Sequence, residues 1–235
     1  MVPGRGEATA YTPAVPRFSD ELRAEAAPIW DAQLTHPFVR GIGDGTLPAE
    51  PFRHFVRQDY LYLVEYARLF ALASARAPAL ALMERFSELA RATLADEMAL
   101  HRSFAAEWGI SAGELEAERA TPTTRGYTDF LLRTAALGDF AELVAALLPC
   151  MWGYSEIGRA LAAAGKPGHE LYSRWIEVYA DEEFAQLAGW CREACDEAAA
   201  GAGAAVRERM REAFLVSSRY ELAFFDASWR LEGAL

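Results

Sequence analysis

The sequence predicts an all-α protein, a helical bundle of about seven or eight helices. Three observations carry this. No stretch alternates polar and apolar residues with period two for more than a few positions, so no strand is expected. Apolar residues recur at steps of three and four through several long windows. Those windows are bounded by capping residues, glycines and prolines. At 235 residues and 52% hydrophobic content the chain can bury one large core, and no linker composition divides it. Residues 1–17, with Pro3, Pro13 and Pro16 among small residues, are expected to form a flexible tail, and residues 18–235 a single helical domain.

Taken in order, Ser19 is expected to cap a first helix with Asp20 and Glu21 in its first turn. It runs to about Leu34 with a bend at Pro28, and His36-Pro37 ends it, because a residue before proline avoids helical geometry. Gly41, Gly43 and Gly45 resemble a phosphate loop only superficially. The Gly-Lys-Ser/Thr ending and the preceding strand are both missing, so the segment reads as a structural turn. A long helix then covers about Ala49 to Ala75, and another runs from Leu80 to Trp108 up to Gly109. Ser111 and Glu114 form a capping box for a short helix, and a further one ends at Leu137 before Gly138. Asp139 and Glu142 open the helix that carries Cys150. Helices over about Glu170–Ala199 and Ala204–Leu231 complete the bundle.

The Cys150 helix is the centre of the pattern. Leu143, Leu147, Cys150, Tyr154, Ile157 and Leu161 share one face, and Pro149 is expected to kink it. A thiol on such a face is either a small packing residue or a reactive one. Asp59, Tyr62 and Tyr66 likewise share a stripe, as pocket lining or as packing with their polar tips at a rim. Glu97 and His101 lie at i and i+4. That spacing suits a metal pair, but a di-iron bundle needs Glu-x-x-His on two helices, so a buried His–Glu hydrogen bond is the preferred reading.

Composition excludes several function classes. A formal net charge of −11 with no basic run argues against nucleic acid as a partner. Lys166 is the only lysine and sits in a Gly-Lys-Pro-Gly turn, so imine chemistry, which needs a desolvated lysine, is not expected. Three cysteines without disulfide spacing fit a reducing compartment. No signal-peptide core occurs, and no apolar run reaches the ~20 residues of a membrane span. A cytoplasmic protein with no membrane partner is the expectation.

Five dispersed segments then agree in order and spacing: His36 to Pro48, Gln58-Asp59 with Tyr62, Glu97 with His101, Leu148-Pro149-Cys150, and Ser217-Ser218 with Tyr220-Glu221. Together, across residues 18–232, they resemble the TenA (thiaminase II) family, in its cysteine-containing branch. The resemblance implies a heme-oxygenase-like helical fold, a homotetramer and hydrolysis of aminopyrimidines, or of thiamin itself, in thiamin salvage, with no cofactor and no metal. It also implies roles: Cys150 as nucleophile, Glu221 as acid/base carboxylate and Asp59 as the carboxylate at the aminopyrimidine edge. Tyr62, Tyr127, Tyr154, Tyr179 and Phe224 fall at pocket-lining positions. Tyr66 stands where some members carry phenylalanine, and Leu222-Ala223 departs from more aromatic versions.

The residue types suit that chemistry. Aromatic walls fit a flat heterocycle, a carboxyl group can activate a ring nitrogen, and a thiol can split one hard displacement into easier steps. Two other readings stand beside it: a heme-oxygenase-like di-metal oxidase using Glu97 and His101, and a non-enzymatic pyrimidine sensor.

Overall fold

The computed structural model describes residues 17–235, and among them there are helices and no strand. The predicted tail at 1–17 therefore lies outside the described residues, except for Arg17, the N-cap of the first helix. The first predicted helix is two. Helix α1 (Phe18–Glu25) and α2 (Ala27–Thr35) meet at Ala26, with Pro28 in the first turn of α2, where its missing N–H is tolerated. Ser19 is not the cap. Its N–H and hydroxyl bond to the Asp196 carboxylate 177 residues away, a tertiary tie that local patterning cannot show.

The glycine segment is helical rather than a turn: α3 (Pro37–Asp44) runs through it, with the His36 ring capping Phe38 N–H at 3.1 Å. Gly45 ends it at φ 80°, and a Cβ on Gly41 would come 2.9 Å from Leu47, so close packing explains these glycines without a ligand. Helix α4 (Ala49–Arg76) matches its predicted bounds closely. The helix expected from Leu80 to Trp108 is interrupted: α5 (Leu80–Ala92) and α6 (Met98–Ala106) are joined by a π-turn over Thr93–Glu97. The Ser111 capping box opens the short α7 (Ala112–Glu116) as predicted, and Thr121 caps α8 (Pro122–Leu137).

Helix α9 (Phe140–Ala164) begins at the predicted Asp139–Glu142 capping box and continues past Pro149. It is the central element, packed against α12 (Ala204–Trp229), α11 (Glu182–Ala200), α10 (Glu170–Ala180) and α8, with smaller contacts to α4 and α3. That position explains why Leu143 to Pro149 are all buried: a helix surrounded by others is apolar all round. The predicted single helix over Glu170–Ala199 breaks at Asp181, which caps α11. Among the described residues no helix is long and apolar enough to cross a membrane.

Three local devices set the site. Gly158 lets α9 and α10 touch: a Cβ there would meet the Tyr179 carbonyl carbon at 2.4 Å, and this approach brings the Tyr154 and Tyr179 rings to 4.9 Å. Gln58 ties α4 to the start of α8, donating to the Arg119 carbonyl and accepting from Thr121 N–H and the Thr124 hydroxyl. That tie holds the Tyr127 ring 5.1 Å from Tyr62. From α2, Trp30 and Gln33 donate to the Ser218 hydroxyl and carbonyl, fixing α12 one turn before Glu221.

Candidate active site

Residues of α4, α9 and α10, with Glu97 and Phe184 at the edge, line a narrow cavity. Asp59, Tyr62, Tyr66, Cys150, Tyr154 and Tyr179 all line it, so six of the nine residues singled out in the sequence share one wall. They come together because each stripe faces inward. Asp59, Tyr62 and Tyr66 follow one face of α4, Cys150 and Tyr154 are one turn apart on α9, and Tyr179 is brought in by the Gly158 contact. The other three, Tyr127, Glu221 and Phe224, are not on the wall. They stand behind Tyr62, whose ring is 5.1 Å from Tyr127 and 5.9 Å from Phe224.

The polar groups are nearly dry. Asp59 and His101, 4% and 1% exposed, form a pair with Nε2 2.6 Å from Oδ2. The other ring nitrogen, Nδ1, bonds the Glu97 backbone carbonyl at 3.0 Å. Burial alone would lower the His101 pKa, but the Asp59 hydrogen bond and charge outweigh it and raise the value. The expected His101–Glu97 hydrogen bond thus forms through the Glu97 backbone carbonyl, while the other ring nitrogen bonds Asp59, 42 residues away. With both His101 nitrogens engaged, no group of three or more His, Cys, Asp or Glu among the described residues is placed to hold a metal ion.

Glu97 itself is the residue whose role the sequence hid. The π-turn that ends at Glu97 departs from regular α spacing, and its carboxyl group meets the Tyr179 hydroxyl, which donates at 3.4 Å, on the cavity wall. Although part of the side chain is exposed, the carboxyl end is desolvated. Burial, with Asp59 adding to it, pushes its pKa up to about 7 against the opposing pull of His101. Glu97, Met151 and Phe184 also line a wider open groove, so this edge is the approach to the cavity. Only Glu97 had a sequence signal, its i, i+4 relation to His101; Met151 and Phe184 read as ordinary apolar positions.

The Cys150 thiol is half-buried as a residue and held well above its usual pKa, first by desolvation and next by the charge of Glu221. Tyr62 works the other way on the sulfur. The Tyr62 hydroxyl is nevertheless buried without a partner of ordinary hydrogen-bond geometry, which leaves it free for a ligand in the cavity. Glu221, 4% exposed, is 2.6 Å from the Tyr127 hydroxyl, and desolvation pushes its pKa up to about 8. The site thus offers a neutral thiol, a carboxyl group that is mostly protonated at neutral pH, a carboxylate held by an imidazole, and tyrosine walls.

The Asp59–His101 pair makes a stability prediction. His101→Ala is expected to cost about 3–5 kcal/mol, because it strips a dry carboxylate of its partner. Urea unfolding measures this, and a loss under 1 kcal/mol would mean Asp59 finds another partner.

Comparison with known proteins agrees with this fold. The model of the TENA/THI-4/PQQC family matches residues 23–231. The aminopyrimidine aminohydrolase of Halalkalibacterium halodurans is 45% identical over 213 residues, covering 90% of this chain and 95% of that protein. Among solved structures, a TenA homologue from P. horikoshii OT3 superposes with a TM-score of 0.84 at 32% identity, covering 92% of this chain and 99% of that one. At 15% identity, a domain with a heme oxygenase-like fold from Shewanella denitrificans superposes with a TM-score of 0.74 over 93% of this chain and 94% of its own, a likeness of fold alone.

Proposed function

The chain belongs to the TENA/THI-4/PQQC family, and we propose that it is an aminopyrimidine aminohydrolase of the thiaminase II type, acting in thiamin salvage. The observation that carries this is the meeting of Cys150 and Asp59 on one tyrosine-walled cavity. The substrate is a 4-aminopyrimidine bearing a CH₂–X group, with X an amine or the thiazole of thiamin.

In this reading Tyr62, Tyr66, Tyr154 and Tyr179 sandwich the ring, Tyr127 and Phe224 back them, and Asp59 binds the amino edge. Such a ring becomes electrophilic only when a ring nitrogen is protonated or strongly hydrogen-bonded. Glu221 supplies that proton from behind the wall, giving up its contact with Tyr127 as it does so. The Cys150 sulfur then adds to a ring carbon as its own proton passes to Asp59, whose other oxygen His101 holds. Electrons returning from the ring break the C–X bond, and X leaves as amine or thiazole. Water adds to the exocyclic methylene, and loss of the thiol restores both the aromatic ring and Cys150. Covalent addition splits a displacement that water alone performs poorly. The scheme uses no cofactor and no metal.

The working unit in this reading is a homotetramer in the cytoplasm, as the family resemblance implies, and sedimentation equilibrium tests the assembly. The activity itself is tested by supplying 4-amino-5-aminomethyl-2-methylpyrimidine and following ammonia and the 5-hydroxymethyl product. Turnover no greater than that of the Cys150→Ala protein overturns the proposal. Comparing kcat/KM for this compound and for thiamin then assigns the preferred leaving group.

A further inference from the structure

Three short oxygen–oxygen contacts lie in series behind the cavity. The Tyr127 hydroxyl is 2.6 Å from Glu221 Oε1 and 2.8 Å from Ser217 Oγ, and Ser217 Oγ is 2.7 Å from the Ala146 carbonyl oxygen on α9. Ser217, Tyr127 and Glu221 are all essentially excluded from solvent, at 0%, 1% and 4% exposure. Each contact needs one proton between its oxygens. A carbonyl can only accept, so the last contact takes the Ser217 proton. Tyr127 has one proton left to give. If it goes to an ionised Glu221, the Tyr127–Ser217 contact is bare. If it goes to Ser217, a phenol oxygen lies 2.6 Å from a carboxylate with nothing between them. Either way two hydroxyl protons must fill three buried contacts, and an unfilled one is costly. One further proton, on Glu221, resolves the count: Glu221 donates to Tyr127, Tyr127 to Ser217, and Ser217 to the Ala146 carbonyl.

We propose that Ser217 is a positioning residue: by taking the Tyr127 proton and passing its own to the Ala146 carbonyl, it turns the Tyr127 oxygen toward Glu221 as an acceptor and holds Glu221 in its acid form. The surroundings agree. Titratable groups facing Glu221 are Tyr127 from α8, Asp59, Tyr62 and Tyr66 from α4, and Cys150 and Tyr154 from α9, and none of them is a cation. From α2 come Trp30 and Gln33, which do not titrate. His36, beside α3, faces Asp226 farther along α12. On α12 itself Arg219 is exposed to solvent, and Arg207 and Arg211, toward α11 and α1, lie ten or more residues before Glu221, about 15 Å or more along the helix. The chain ends on α9 four residues before Cys150, so one relay couples the acid to the helix that carries the thiol.

The bearing of this on turnover rests on the aminopyrimidine reading, whereas the protonation state does not, and the test separates them. Difference infrared spectroscopy of the ligand-free protein should show a carboxylic-acid C=O band at pH 7 that Glu221→Gln removes. In Ser217→Ala, with its fold checked by thermal unfolding, Tyr127 is released to donate to Glu221. The titration midpoint of the band should then fall by roughly one pH unit, the scale of one exchanged hydrogen bond. The limb of the kcat/KM profile that requires the acid should move with it, and Ser217→Thr, which keeps the hydroxyl, should restore both. A merely structural serine would lower the melting temperature without moving the midpoint. No band at pH 7 in the parent protein, or an unchanged midpoint in folded Ser217→Ala, overturns the proposal. A parent protein that fails to hydrolyse aminopyrimidines would remove the functional reading alone, since the band and its midpoint are read without substrate.

Discussion

Replacing Cys150 with alanine is expected to remove turnover while leaving the helical content and assembly of the protein unchanged. The substitution deletes one sulfur from a half-buried position, worth about 1 kcal/mol of burial, and alanine is the best residue for a helix interior. The chemical loss is far larger, because without sulfur no covalent adduct forms and the displacement reverts to a single difficult step. No other thiol can substitute. Cys191 and Cys195 are buried in α11, and burial pushes Cys191 up to about 12 and Cys195 higher still. The same physics gives a second readout on the parent enzyme. Since desolvation holds Cys150 as a neutral thiol, iodoacetamide should alkylate it slowly at pH 7 in the absence of substrate. Activity of Cys150→Ala within tenfold of the parent, a barrier change of only about 1.4 kcal/mol, would remove the thiol from the mechanism.

What was legible in the sequence follows the range of each interaction. Capping boxes are local, and both Asp139–Glu142 and Ser111–Glu114 form as read. Periodicity reports which residues share a face, so the Asp59–Tyr62–Tyr66 stripe and the Cys150–Tyr154 turn meet at the cavity. Breaks that do not disturb the apolar period went unseen. The break at Ala26 was marked only by the bend expected at Pro28, the period continues across Asp181 although the chain turns there, and the π-turn at Thr93–Glu97 leaves no mark in composition. The glycines of α3 suggested a turn because their reason is tertiary: Gly41 accommodates Leu47, and Gly43 meets Leu161. Pairings between helices were the least legible. Nothing local joins Asp59 to His101, or Tyr127 to Glu221 94 residues on, and these contacts set the electrostatics of the site.

Glu221→Gln is expected to lower kcat by roughly 10²–10⁴, the usual scale for a lost general acid. Glutamine keeps the shape of the side chain and can still bond Tyr127, but it has no proton to give to the ring. Binding of the hydroxymethyl product should weaken much less, because a neutral acid and an amide offer a ligand similar hydrogen bonds. The variant should also change how stability depends on pH, and the sign is fixed. Glu221 has a folded-state pKa raised to about 8 from an ordinary 4.5, so the folded protein holds its proton more tightly than the unfolded chain. That stabilisation is complete below about pH 4.5 and drains away as pH rises through about 8. Glutamine does not titrate, so the stability difference between parent and variant should move against the parent over that window and level off above it. Urea midpoints for both proteins at pH 5, 7 and 9 read this directly. The kinetic and thermodynamic results check one another: an acid that donates near neutral pH must also be the group whose ionisation costs stability there. If kcat at saturation survives while pyrimidine affinity collapses, Glu221 only holds the ligand, and the proton-transfer role passes to Asp59.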